Sequence, residues 1–244
     1  MGAYKWIGGF LGWVTLGPIG ALLGFWVGYT VDGLVNQTDT SGKRTTYSAS
    51  EQRNSFLVSL LVLSAAVIKA DGKTLQAELD YVKDFVRRNF GEAAVPEAMR
   101  ILQELTRQEV NIYEVGPQIA RYMNYSQRLQ LFHYLTQLAL ADGEFHKSEK
   151  GVLEAIGATI GLSQGDIQSV VSMFYKETNS AYSVLGISPE ASDDEVRTAY
   201  RRMAMKNHPD KVATLGADVQ KAAAEKFRQV QEAYEAIKQE RKMN

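Results

Sequence analysis

Twenty-six consecutive residues near the start of the chain, Trp6 to Val31, carry no charge: WIGGFLGWVTLGPIGALLGFWVGYTV. A helix that crosses a bilayer needs about 20 predominantly apolar residues, because hydrocarbon offers nothing to an exposed backbone group. Residues 1–35 are therefore expected to form a membrane segment. A cleavable leader fits less well, since the run is too long, one lysine precedes it and no small-x-small site follows. Only Lys5 and the amino terminus lie before the segment, whereas Lys43, Arg44 and Arg53 lie after it. That asymmetry puts the bulk of the chain on the cytoplasmic side. Gly20, Gly24 and Gly28 share one helical face and would let a second helix approach closely, which makes a homodimer through this segment an expectation. Pro18 behind Gly17 admits the alternative of a hairpin made of two shorter helices.

Residues 36–50, NQTDTSGKRTTYSAS, are polar and aperiodic and read as a linker. From Ser50 onward the apolar residues recur at helical spacing, and no stretch alternates long enough to demand a strand, so the fold class is all-α. The run NSFLVSLLVLSAAVIKADG is short for a span and reads as a buried helix. Helices are expected near 75–90, 96–108, 117–124, 126–141, 147–160 and 163–177, with Pro96 and Pro117 near helix starts. The charges nearly cancel, 27 basic against 28 acidic residues, so nucleic-acid binding would have to rest on a local patch. The absence of cysteine excludes disulfides, thiolate metal sites and a cysteine nucleophile.

Within residues 51–177 a short motif occurs twice, as ADGKTLQAE at 70–78 and ADGEFHKSE at 141–149. Each copy follows an apolar helix and precedes an amphipathic one, which predicts two related helical hairpins. Gly72 and Gly143 can take the left-handed conformation that ends a helix. Glu78 and Glu149 then fall in the first turn of the next helix, where its dipole favours a carboxylate. An Asp-Gly followed by Glu also resembles the second half of a calcium loop, but Val67, Lys69, Leu138 and Leu140 occupy the positions where the first half would supply ligands. A divalent cation would thus need a site shared by Asp71, Glu78, Asp142 and Glu149, whereas caps and turns need no further assumption. His133 and His146 lack a partner at matched spacing and read as ordinary core or surface histidines. Beyond that cation no cofactor is suggested. With its two ADG hairpins, the block resembles the TerB-like domain of tellurite-resistance proteins, a family in which acidic clusters are associated with metal binding.

The last 65 residues, 180–244, read as a short helix, a turn at Gly186–Pro189, and a helix opened by the capping box Ser192-x-x-Glu195. At 100° per residue Val196, Ala199, Tyr200, Met203 and Asn207 share one face, while Arg197, Arg201, Arg202 and Lys206 spread over the other half. A second helix carries Ala223, Phe227, Val230, Tyr234 and Ile237 as a stripe that would meet the first. Between them, at the tip of an antiparallel hairpin, stand His208, Pro209 and Asp210, followed by a long loop. Acid/base catalysis would need a pocket and a partner for His208. A metal would need more ligands than Asp210. Recognition fits better, because Pro209 fixes φ and pre-orders its two neighbours at low entropic cost. The cationic strip would also suit phosphates, but Asp193, Asp194, Glu195 and Asp210 flank it and argue against nucleic acid.

The pattern AYSVLGI, DDEVRTAYRRMAMKNHPDK, EKFRQVQEAYEAI resembles the J domain of the DnaJ family over almost all of residues 180–240. The resemblance implies a co-chaperone of Hsp70 (DnaK) rather than an enzyme. It assigns His208, Pro209 and Asp210 to the turn that triggers Hsp70 ATP hydrolysis. Tyr200, Arg201, Arg202 and Lys206 match the helical surface that docks on Hsp70, with Arg197 on the same strip, and Lys211 matches the basic position after the turn. The order of parts resembles the membrane-anchored members of that family, which implies a bacterial inner membrane with the J domain in the cytoplasm. A different reading makes the TerB-like block the active part, as a metal-responsive or envelope-stress adaptor. Only YKETNSAY separates that block from the J domain, which implies that the two are held rigidly.

Overall fold

The structure, a computed structural model, describes residues 49–70, 76–143, 147–174 and 181–243. The membrane segment with its glycine face, nearly all of the linker, Asp71, Gly72, Thr74 and His146 lie outside the described residues. Among the described residues there is no strand, and no helix is long and apolar enough to cross a membrane. The chain divides into two compact units, Met1–Ser59 and Leu60–Asn244. The second holds nearly all of the middle block together with the C-terminal hairpin.

In helix α1, Ala49–Ile68, the apolar stretch is as expected a buried helix: Leu60, Leu61, Leu63, Ala65, Val67 and Ile68 are fully or almost fully buried. A helix that is apolar on every side has no solvent face to offer, so burial follows from its composition. Then come α2 (Gln76–Phe90), a 3-10 turn (Glu92–Ala94), α3 (Val95–Arg107), α4 (Ile112–Tyr122), α5 (Tyr125–Leu138), α6 (Lys147–Thr159) and α7 (Gln164–Phe174). Helix α5 is central: Leu129, Leu131, Phe132, Leu135 and Leu138 are fully buried, and α2, α4, α6 and α7 all pack against it. Its start is fixed by a capping box in which the Asn124 side chain accepts from Gln127 N–H and Gln127 accepts from Asn124 N–H.

One helix starts earlier than its proline suggests. Pro117 lies inside α4, which begins at Ile112 because the Asn111 side chain accepts from the Tyr113 backbone N–H at 3.1 Å. The cap supplies a start that the proline does not. Gly116, beside it, allows α4 to touch α6, since a Cβ there would meet Thr159 at 2.4 Å. In the second repeat copy Gly143 does take the left-handed conformation, at φ 88°, between α5 and α6.

The C-terminal part contains α8 (Ala181–Leu185), α9 (Asp193–Lys206), a 3-10 turn (Pro209–Leu215) and α10 (Ala217–Arg241). Val196, Ala199 and Met203 of α9 meet Val230, Ala233 and Ile237 of α10 in one apolar core with Tyr182 and Leu185 of α8. Rings of Tyr200 and Tyr234 stack at 4.3 Å along its edge. Arg241 closes the far end: its guanidinium donates to Tyr182 Oη at 2.9 Å and to the carbonyls of Pro189 and Ala191 in the connection between α8 and α9. The tip differs from the long loop expected. Val212, Leu215 and Val219 are buried, so the segment after Asp210 winds into the 3-10 turn and the first turn of α10.

Candidate functional site

Helix α9 is opened by the expected capping box. Ser192 N–H donates to the Glu195 carboxylate at 2.7 Å and Glu195 N–H donates to Ser192 Oγ at 3.3 Å. The backbone and hydroxyl hydrogen bonds from Ser192 hold the Glu195 carboxyl below its ordinary value. With its start and its inner face fixed, the helix presents Arg201, Arg202 and Met205 to solvent, one turn or less from one another. Arg197 sits at the edge, paired with exposed Asp194 at 3.0 Å. Met205, at 59% exposure, is an apolar side chain in the middle of this cationic surface, and no periodicity argument singled it out.

Asn207 ends the helix, with its side-chain amide donating to Met203 C=O at 2.9 Å. The chain then turns at His208, which caps the 3-10 turn: its Nδ1 accepts from Asp210 N–H at 3.3 Å. The edge of the ring rests on Phe227 at 5.8 Å between centroids. His208 is nonetheless 47% exposed and the Asp210 carboxylate 81% exposed. Pro209 limits φ, Phe227 limits the ring, and the local hydrogen bond ties the two ends of the motif together. The result is an ordered polar tip that reaches into solvent, with exposed Lys211 behind it.

Of the cationic residues read from the sequence, Arg201 and Lys211 are exposed, Arg202 is exposed with its guanidinium donating to the Leu185 carbonyl at 3.4 Å, and Tyr200 is half-covered by its stack on Tyr234. Lys206 is different. Its Nζ donates to the Asp166 carboxylate of α7 at 2.6 Å and lies 4.5 Å above the ring of Tyr125 of α5. Asp166 also accepts from the Tyr125 and Ser163 hydroxyls. Burial works against its charge, but the hydrogen bonds from Lys206, Ser163 and Tyr125 outweigh it and hold the carboxyl below its ordinary value. Sequence reading missed Asp166, Tyr125 and Ser163, because the contact joins positions about 40 or more residues apart and no local pattern marks it.

The repeat carboxylates are split by their surroundings. Glu78 and Glu149 are each buried to 4% exposure in the first turn of α2 and α6, and Asp142 is exposed. No group of three or more metal-ligating side chains gathers among the described residues.

Comparison with known proteins gives three matches in chain order. Residues 1–50 match the family model of the co-chaperone DjlA transmembrane domain, residues 57–171 that of tellurite resistance protein TerB, and residues 180–244 that of the DnaJ domain. The co-chaperone protein DjlA of Coxiella burnetii is similar over 98% of both chains at 26% identity. That of Legionella pneumophila is 29% identical over 96% of this chain and 93% of its own. The Shewanella oneidensis protein of the same name is 31% identical over 122 residues, 44% of this chain and 47% of its own. No solved structure matches.

Proposed function

We propose, for a chain of the DjlA co-chaperone type with its transmembrane, TerB and DnaJ domains in that order, that it stimulates ATP hydrolysis by an Hsp70 partner (DnaK) from the inner membrane. The observation that carries this reading is the ordered, exposed His208-Pro209-Asp210 tip directly after a cationic helix face. Arg197, Arg201, Arg202 and Lys211 steer the chain onto an acidic patch of the Hsp70, Met205 adds apolar contact at the centre, and Asp210 then engages a basic group there. Binding energy spent on one state of the partner biases it toward hydrolysis. The chain contributes no covalent step of its own. The basic residues Lys43, Arg44 and Arg53 after the uncharged N-terminal run support a cytoplasmic location for this tip.

The test is single-turnover ATP hydrolysis by the cognate Hsp70 in the presence of the full chain. His208→Gln is expected to remove the stimulation while leaving the unfolding transition in place, since the side chain is half exposed and outside the apolar core. Raised salt is expected to increase the concentration needed for half-maximal stimulation, because exposed charges carry the encounter. Full stimulation by His208→Gln would sink the reading.

A further inference from the structure

The trigger tip is free, but the chain on either side of it is fastened to the middle block. Before the tip, Lys206 is held by Asp166 of α7 at 2.6 Å, and Asn207, 1% exposed, faces the Gln130 amide of α5 at 3.5 Å. After it, the 3-10 turn packs against α5 as well as α10. Gly216, at φ 127°, backs onto α2 so closely that a Cβ would lie 2.8 Å from Asn89 Oδ1. Two short anchors thus bracket His208, Pro209 and Asp210.

The Asp166 anchor is built rather than incidental. Its side chain is 1% exposed, and the hydroxyls of Tyr125 and Ser163 orient it independently of Lys206. Removing one partner of a buried ion pair leaves the other charge poorly compensated, so separating this pair is costly. A fixed pair suits positioning and does not suit a labile mask over the docking strip.

We propose that Asp166 is a positioning residue for the His-Pro-Asp tip: by gripping Lys206 it fixes the end of α9, and with it the direction of His208 and Asp210. Docking then falls to Arg197, Arg201, Arg202 and Lys211, and Lys206 serves the middle block instead. This rests on the co-chaperone reading for its readout, while the anchoring itself can be measured without it.

The full chain in detergent micelles is compared with Asp166→Asn, Lys206→Met and the double variant, by Hsp70 single-turnover hydrolysis over a range of chain concentrations. Each single variant is expected to lower the maximal rate by roughly threefold or more and to move the half-saturating concentration by less than about twofold, with the double variant no worse than either. A large rise in half-saturating concentration for Lys206→Met alone would make Lys206 a docking residue and overturn the proposal. Faster hydrolysis in either single variant would make the pair a mask, and an unchanged Asp166→Asn would make it irrelevant; both also overturn it. Should Asp166→Asn not fold, Ser163→Ala and Tyr125→Phe loosen the same carboxylate more gently and must shift the maximal rate in the same direction. Amide hydrogen exchange at residues 207–212 separates the two readings: if the native chain fails to stimulate Hsp70, the co-chaperone reading falls, yet faster exchange in Asp166→Asn still supports the anchor and unchanged exchange refutes it.

Discussion

Lys226 of α10 is 5% exposed where the C-terminal hairpin meets α7, its Nζ 4.1 Å above the ring of Phe174 and donating to Gln229 at 3.3 Å. Burial lowers its pKa from 10.5 to about 8, against a smaller pull upward from Glu225. A folded-state pKa below the unfolded one means that the charged lysine opposes folding, fully at pH 7 and progressively less as pH rises from 8 to 10.5. By linkage the cost at pH 7 is roughly 1–3 kcal/mol. Lys226→Met is therefore expected to raise stability at pH 7 by about that amount, and the gain should fade toward pH 10.5; paired urea titrations at the two pH values check both parts.

At the scale of elements, helix α9 depends on its first turn. Three acidic residues, Asp193, Asp194 and Glu195, sit at the positive end of the helix dipole, and Ser192 satisfies an amide that would otherwise face water alone. Ser192→Ala is expected to destabilise the unit by about 1 kcal/mol in chemical denaturation, the usual cost of losing a serine cap. Hsp70 stimulation should hardly change under native conditions, because the cationic face begins one turn later. The capping box, the apolar stripe and the Gly143 turn were all legible in the sequence, since each depends on residues within four positions of one another. The start of α4 was misplaced because Pro117 is the louder signal locally and Asn111 the stronger one energetically. The ordering of the tip after Asp210 was also hidden, because Val212 and Leu215 are anchored by neighbours from α5 and α10 rather than by their own spacing.

On the scale of the whole molecule, the seam between the middle block and the hairpin is polar as well as apolar. His133 of α5 is 2% exposed, with Phe174 of α7 edge-on at 6.2 Å, and both ring nitrogens lack a partner at hydrogen-bond distance. Burial first, then the charge of Lys226 from α10, holds its pKa well below the ordinary value, and the nearby Asn207 side chain, just after α9 and beyond good hydrogen-bond geometry, is the smallest influence and acts the other way. An unfolded histidine takes up its proton near pH 6.5 while this one resists, so stability is lost as pH falls below 6.5. The chain is expected to melt at lower temperature at pH 5.5 than at pH 7.5, and His133→Gln to flatten that part of the dependence; differential scanning calorimetry measures both. An unchanged slope in His133→Gln would place the acid sensitivity elsewhere.

What the sequence by itself determined is what short-range physics can write: an all-α chain, an uncharged N-terminal run, the domain order, two helices with complementary apolar faces and a stiff His-Pro-Asp turn between them. Those follow from spacing, caps and a proline ring, each of which acts over a few residues. Which of the cationic side chains stay free could only be decided in three dimensions. Lys206 reads as one more member of the strip at 100° per residue, yet it is turned onto Asp166, 40 residues earlier in the chain. The deciding quantity is the energy of a buried, triply hydrogen-bonded carboxylate that needs a cation, and that need exists only once α5 and α7 have packed together.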